Sequence, residues 1–270
     1  MQIPFEKYHG TGNDFILVDN RSNIFPKQQK VIANCCHRKN GIGADGLILI
    51  ENHLDYDFEM LYYNADGNMG SMCGNGGRCA AIFSHDLRLI RHTTRFMAFD
   101  GVHTAHINKD NSVKLSMVSV GEIELQENAY VMNTGSPHYV AFKDSINHIN
   151  VIEEGRKIRN NEAYSENGIN VNFVSIDTTG LNIRTYERGV EEETLSCGTG
   201  TVAAAIAASL KLNCRDQNQE YLVHALGGDI KVYFTKESST FFNNIFIEGP
   251  AQKVFSGIIN LESIMPLNED

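Results

Sequence analysis

Two cysteines stand at matching places in the chain. Cys73 lies in SMCGNGGRCAAI (71–82) and Cys197 in LSCGTGTVAAAI (195–206), and each opens a glycine-rich, small-residue run that reads as a helix start. A helix start leaves backbone N–H groups unpaired and carries about half a positive charge. A thiol placed there is drawn below its reference value of about 8.5, and glycines let backbone amides approach a bound anion. Two such thiols, facing one cleft from opposite sides, suit a particular reaction. One cysteine, as thiolate, takes the proton from a carbon beside a carboxylate. The other, as thiol, returns a proton to the opposite face. The paired helix starts meet the second negative charge that grows on the carboxylate oxygens, and preorganised donors of this kind are commonly the largest catalytic contribution. The pair shares one proton and titrates as a unit. Chemistry of this form is that of a racemase or epimerase. A disulfide between Cys73 and Cys197 is the competing reading; it accounts for proximity but not for the glycine runs, and it suits oxidising compartments.

To bring two cysteines to one cleft, the chain needs two halves built on one plan, and the sequence does echo itself. Gly12-Asn13-Asp14-Phe15 and Gly135-Ser136-Pro137-His138 are 123 positions apart, as are Tyr63-Asn64 and Tyr186-Glu187, while Cys73 and Cys197 are 124 apart. Turns at Asp100-Gly101 and Gly227-Gly228 each precede strand-like text, HTAHI and IKVYF. Several matches in one order at a nearly constant offset predict two homologous halves, 1–117 and 118–257, joined near 116–121, with a tail of about 258–270 packing back onto the first. Short β-like runs bounded by turn residues fill both halves: GNDFILVD, GLILIE, DFEMLYYN, HTAHI, SVKLSMV, then YVAFK, INVNFVSI, NIRTYE, IKVYF and NNIFIEG. Three helices are predicted. QQKVIANCCHR places Ile32 and Cys36 on one face with Gly41 as its stop. NGGRCAAIFSHDL carries a buried stripe of Cys79, Ile82, Phe83 and Leu87. GTGTVAAAIAASLKL is small and apolar nearly all round, so it should be central. The fold class is α+β, with strands wrapped around one buried helix in each half.

Bulk properties narrow the function. The 270 residues carry a formal net charge of −10 with no long basic run, which argues against a nucleic-acid partner. No apolar stretch is long enough to span a membrane, and MQIPFEKYHG has no signal-peptide pattern. Six cysteines in such a chain are expected to be thiols in a reducing, cytoplasmic setting. GIGADG (41–46) matches G-x-G-x-x-G, but it follows helical text and precedes a strand, so a turn at a helix end is the better reading. The polar GVEEETLS before Gly198 likewise argues against a dinucleotide site. No metal is expected, since C-x-x-C and H-E-x-x-H are both absent. Cys35, Cys36, Cys79 and Cys214 read as buried, inert thiols.

The chain resembles the diaminopimelate epimerase family over nearly its whole length. The resemblance rests on HGTGNDF (9–15), GIGADG (41–46), YNADG (63–67), MCGNGGRC (72–79), TGSPH (134–138), YERG (186–189) and SCGTGT (196–201). It implies two pseudo-symmetric domains, each a barrel-like, mostly antiparallel sheet around a central helix. It implies Cys73 and Cys197 as the acid/base pair in converting LL-2,6-diaminopimelate to the meso isomer, in lysine and cell-wall precursor synthesis. It further implies that the α-carboxylate sits on the amides of Gly74-Asn75 and Gly198-Thr199. The distal amino-acid end is then read by Asn13, Asn64, Asn170, Glu187 and Arg188, while His138 and Glu187 orient and tune the thiols. A homodimer without cofactor is expected.

Three departures stand out: Ser136 where many members carry Asn, Gly46 where some carry Gln, and a VEEE stretch (190–193) one residue longer than usual. From the residues alone, Asn13, Asn64 and Asn170 can equally be turn formers, Arg188 a surface partner of Glu191 or Glu192, and His138 an ordinary loop residue. A racemase of another amino acid, a binding protein without catalysis and a nucleotide enzyme are the alternative functions.

Overall fold

The computed structural model describes residues 1–264 and resolves the chain into two units: Met1–Leu115 together with the chain from Pro250 on, and Ser116–Gly249. Residues 265–270 of the expected tail lie outside the described residues.

In the first unit, β1 (Gln2–Gly10) turns through Thr11 and Gly12, both at positive φ, into antiparallel β2 (Asn13–Asp19). A two-residue loop with positive φ at both positions matches the right-handed twist of the strands it joins. Helix α1 (Gln29–Cys36) crosses over to β3 (Gly46–Glu51), parallel to β2, and β4 (Phe58–Asn64) runs antiparallel to β3. Helix α2 (Gly74–Asp86) is the second crossover and leads to β5 (Thr93–Ala98), parallel to β4. Strands β6 (Gly101–Ile107) and β7 (Ser112–Ser116) continue as an antiparallel meander.

The second unit repeats that plan. After β8 (Glu124–Gln126) come β9 (Ala129–Asn133) and antiparallel β10 (Pro137–Phe142). Helix α3 (Val151–Arg159) crosses to β11 (Asn170–Ile176), parallel to β10, and β12 (Leu181–Glu187) returns antiparallel. A short β13 (Glu192–Thr194) folds onto β12, then α4 (Gly198–Lys211) crosses to β14 (Asn218–Ala225), parallel to β12. Strands β15 (Gly228–Lys236) and β16 (Phe242–Pro250) complete the meander. The chain then re-enters the first unit as β17 (Gln252–Asn260), antiparallel to β1, and α5 (Leu261–Ile264).

Each sheet wraps a helix. α2 packs against β1, β2, β3, β4 and β6, and α4 against β9, β10, β11, β12, β14 and β15. Most pairings are antiparallel, with two parallel pairs per unit, each spanned by a helical crossover as parallel strands require. The small residues of α4 are buried from Gly198 to Ser209, as their all-round apolar character predicts. α2 departs from the predicted stripe: every residue from Gly74 to Ser84 is buried, and Leu87 is a part-buried C-cap outside the helix. α1 ends at Cys36, capped by His37, well before Gly41. α3 is not among the predicted helices, although Val151 and Gly155 are buried on one face with Ile152 and Ile158 part-buried beside them; it occupies the place in the second unit that α1 holds in the first. Strands β1, β5, β14 and β17 likewise went without a sequence signal, their alternation being diluted by charged and polar residues.

Candidate active site

In the first unit the site begins at the mouth of α2. Cys73 is its N-cap, in extended conformation, and its sulfur accepts a hydrogen bond from the Gly76 N–H at 3.5 Å. The Cys73 thiol donates to Asn13 Oδ1 at 3.6 Å, and Asn75 Nδ2 donates to the same oxygen at 3.3 Å. Asn13 is held from behind, its Nδ2 donating to Asp45 Oδ2 at 2.7 Å. Asp45 comes from GIGADG, so that motif serves the site by supplying the carboxylate that orients Asn13. Arg38 pairs with both Asp14 (2.8 Å) and Asp45 (2.6 Å), and buried Lys7 pairs with Asp14 at 2.7 Å. Burial pushes the Asp14 carboxyl up, but the Arg38 and Lys7 bonds and charges outweigh it and hold it at about 2.

Arg78, missed as a site residue, is fully buried on α2. Its guanidinium donates to Asn75 Oδ1 (2.8 Å), Thr11 Oγ1 (3.2 Å), Gly74 O (3.4 Å) and Pro250 O (3.4 Å). Among the described residues no carboxylate pairs with it. A buried charge with neutral partners only adds positive potential to the start of α2 and fixes Asn75. Burial lowers the Arg78 guanidinium to about 10, opposed by the nearby Cys79 and Cys73 sulfurs. A Cβ on Gly10 would sit 3.3 Å from this guanidinium and 3.0 Å from Asn75 O, so a side chain there would crowd both. Arginine in a helix of small apolar residues was the available sequence signal.

Asn64 ends β4 in register with Gly46 but is exposed, and it makes no side-chain hydrogen bond among the described residues. A Cβ on Gly46 would fall 2.5 Å from the Tyr62 ring, so Tyr62 takes the space that a longer side chain at that position would need.

In the second unit Cys197, buried, is the N-cap of α4. Its sulfur lies 3.4 Å from Thr199 Oγ1, and Thr199 Oγ1 is 2.9 Å from His138 Nε2. Gly198 and Thr199 open the helix as Gly74 and Asn75 open α2. His138 is fully buried, and burial, assisted by the Arg188 charge, brings its imidazole down to about 3. It is a neutral ring packed in the strand, not a loop residue.

A second cluster lies at the adjoining strand ends. Asn170 Nδ2 donates to Ser136 Oγ (2.9 Å) and Pro137 O (3.0 Å), and its Oδ1 accepts from the Arg188 N–H (2.9 Å). Arg188 donates to Ser136 Oγ (3.3 Å) and Asn167 O (3.1 Å). Ser136, a departure from the family pattern, thereby ties Asn170 to Arg188. Arg188 is not a partner of Glu191 or Glu192; Glu191 instead pairs with Arg159 at 3.3 Å. Glu187 accepts from Thr194 Oγ1 at 2.6 Å. The structure thus groups Asn13, Asn75 and Cys73 in one unit, and Asn170, Arg188 and Ser136 beside Cys197, Thr199 and His138 in the other.

None of the six cysteines is bridged in a disulfide. Burial pushes Cys35 and Cys36 up to about 12, and Cys79 further. Cys214 is part-buried, 3.4 Å from Tyr221 Oη, and so not the core residue expected.

Comparison with known proteins gives one consistent result. The model of the family described as diaminopimelate epimerase matches twice, at residues 5–124 and 130–254. A diaminopimelate epimerase of Flavobacterium psychrophilum is 49% identical over 255 residues, covering 94% of this chain and 98% of the relative. One of Chlorobaculum tepidum is 41% identical, covering 93% and 99%. Among solved structures, a phenazine biosynthesis protein of the PhzF family from Bacillus anthracis aligns with a TM-score of 0.75 at 14% identity, over 96% of this chain and 99% of that one. A hydroxyproline epimerase from Agrobacterium vitis aligns at 0.71 and 12%, over 99% and 96%. At such identities these two likenesses concern the fold.

Proposed function

The chain belongs to the diaminopimelate epimerase family, and we propose that it converts LL-2,6-diaminopimelate to the meso isomer by proton transfer through two cysteines, Cys73 and Cys197. The observation that carries this reading is that both cysteines are N-caps of the buried crossover helix in units of the same topology. One sulfur, as thiolate, removes the α-proton; the other, as thiol, delivers a proton to the opposite face of the carbon. Charge accumulating on the α-carboxylate is met by the N–H groups of Gly74, Asn75, Gly198 and Thr199. These are the orphan donors of two helix starts, where the dipoles favour an anion. Arg78 adds a full charge behind the first of them.

The distal carboxylate and ammonium are assigned to Arg188, Asn170, Glu187, Asn13 and Asn64. Arg188 has no carboxylate partner among the described residues and presents a fork suited to a carboxylate. His138 and Glu187 tune the thiols. The route uses neither metal nor cofactor. A homodimer follows from the family likeness, and six unbridged thiols fit a reducing cytoplasm.

In heavy water the product should gain one deuterium at the inverted carbon, while recovered starting isomer gains little at early times. Cys73→Ser and Cys197→Ser should each lower kcat by at least about 10²-fold, as expected for removing a positioned acid or base. Near-normal turnover in both variants would reject the cysteine pair.

A further inference from the structure

His138, Thr199 and Asn172 form a chain of hydrogen bonds whose direction can be worked out. Asn172, on β11, is fully buried. Its Nδ2 lies 3.2 Å from Tyr139 O and 3.0 Å from His138 Nδ1, while its Oδ1 accepts from Thr185 Oγ1 at 3.0 Å. Only an N–H can face the Tyr139 carbonyl, so the amide orientation is set by chemistry. His138 Nδ1 must then accept, and in a neutral ring the proton is on Nε2. That N–H points at Thr199 Oγ1, 2.9 Å away. The threonine hydroxyl, already accepting, has its own hydrogen to give, and Cys197 Sγ lies 3.4 Å off.

We propose that Asn172 is a positioning residue: it locks His138 as the Nε2–H tautomer, so that the Thr199 hydroxyl donates to Cys197 and favours its thiolate. The proposal rests on the reading of Cys197 as an acid/base group. A hydrogen bond made to the charged form of a group lowers its pKa. The burial that keeps His138 neutral leaves the chain of donors unbroken at ordinary pH.

The relay belongs to one unit only. At the matching places the first unit carries Phe15 for His138, Ile48 for Asn172 and Asn75 for Thr199. The equivalence is spatial as well as sequential. A Cβ on Gly76 would meet Ile48 Cδ1 at 3.1 Å, and one on Gly200 would meet Asn172 Oδ1 at 2.7 Å.

Other charged and titratable groups lie on the strands packed against α4. On the strands packed against α4, His138 of β10 is neutral, and β11 places no charged group at this end. Glu187 ends β12 and accepts from Thr194 Oγ1 at 2.6 Å. Arg184, also on β12, is paired with Glu193 of β13 at 2.7 Å, and His224 of β14 with Asp229 of β15 at 2.7 Å. Tyr130 on β9 pairs with Val140, two residues along β10 from His138. Lys211 is at the far end of α4.

The test measures the pH dependence of alkylation of each cysteine by iodoacetamide in substrate-free full-length protein, with the labelled residue located by mass spectrometry. Thr199→Val, which keeps the backbone amide, should raise the Cys197 midpoint by about one pH unit, and Asn172→Leu should act in the same direction. Thr199→Ser should restore it, and Cys73 should not move in any of the three. The ¹⁵N shifts of His138 in the unaltered protein should report the Nε2–H tautomer from pH 5 to 9, which decides the matter should the variants not fold. A Cys197 midpoint unmoved by Thr199→Val, or a His138 proton on Nδ1, overturns the relay. Because no turnover is involved, either result is separate from failure of the two-cysteine route, which the heavy-water experiment reads.

Discussion

Asn13 illustrates how a single side chain depends on others that sequence motifs do not connect. Its amide can serve Cys73 and Asn75 with the oxygen only because Asp45 claims the nitrogen at 2.7 Å. Asp45 and Asp14 are in turn held by Arg38 and Lys7. A depressed carboxyl contributes stability above its unfolded value, near 3.9, and that contribution is lost as pH falls through the folded value. For Asp14 the window runs from about 4 down to about 2. Acid denaturation followed by circular dichroism should therefore show a loss of stability in that range that is smaller in Asp14→Asn, a protein already weakened at pH 7. An unchanged slope between pH 4 and 2 in the variant would remove Asp14 from this role. Cys73 and Cys197 were legible as candidates because each stands before a glycine-rich helix start, and Asn13 and Asn170 through the family resemblance. Asp45, Arg78, Ser136 and Asn172 were not, since each draws its value in part from partners 31 to 172 residues away.

At the scale of elements, α2 and α4 share a cysteine cap and a glycine three residues on, yet the two glycines differ in surroundings. A methyl on Gly76 meets the flexible ends of Ile48 (3.1 Å) and Met60 (3.3 Å). On Gly200 it meets Asn172 Oδ1 at 2.7 Å, with Cys197 Cβ at 3.3 Å and Sγ at 3.4 Å. Alanine also gains about 1 kcal/mol over glycine inside a helix. Gly76→Ala should be near neutral in urea-unfolding midpoint, whereas Gly200→Ala should destabilise by roughly 1–3 kcal/mol through overpacking. Equal effects would mean that the two helix mouths are alike, contrary to the polar and apolar floors beneath them. The repeat was readable in sequence from glycines, cysteines and tyrosines. α3 was not, because more than half of its nine residues are charged, although Val151, Ile152, Gly155 and Ile158 share one face; its place was nonetheless implied by α1 in the sister unit.

Across the whole molecule, the first unit is assembled from both ends of the chain. β17 pairs with β1 from Gln2 to His9, and Pro250 O accepts from Arg78 Nε at 3.4 Å. A chain ending at Gly249 loses that ladder and leaves β1 without its outer neighbour. Hydrogen exchange should then show β1 and α2 amides exchanging faster than in the full chain, with α4 amides little changed. β1 amides as protected as before would show that the unit folds without its returning strand.

What the sequence determined by itself was local and periodic: two cysteine-capped helices, a repeated strand–helix plan, and a family resemblance resting on short motifs. Those features survive in sequence because each depends on neighbours within a few residues, or on a pattern that the chain states twice. What only the tertiary structure decided was how buried polar atoms are satisfied. A buried amide must find donors and acceptors wherever the fold puts them. So the orientation of Asn13, the neutral partners of Arg78 and the tautomer of His138 were set by contacts that no spacing along the chain encodes.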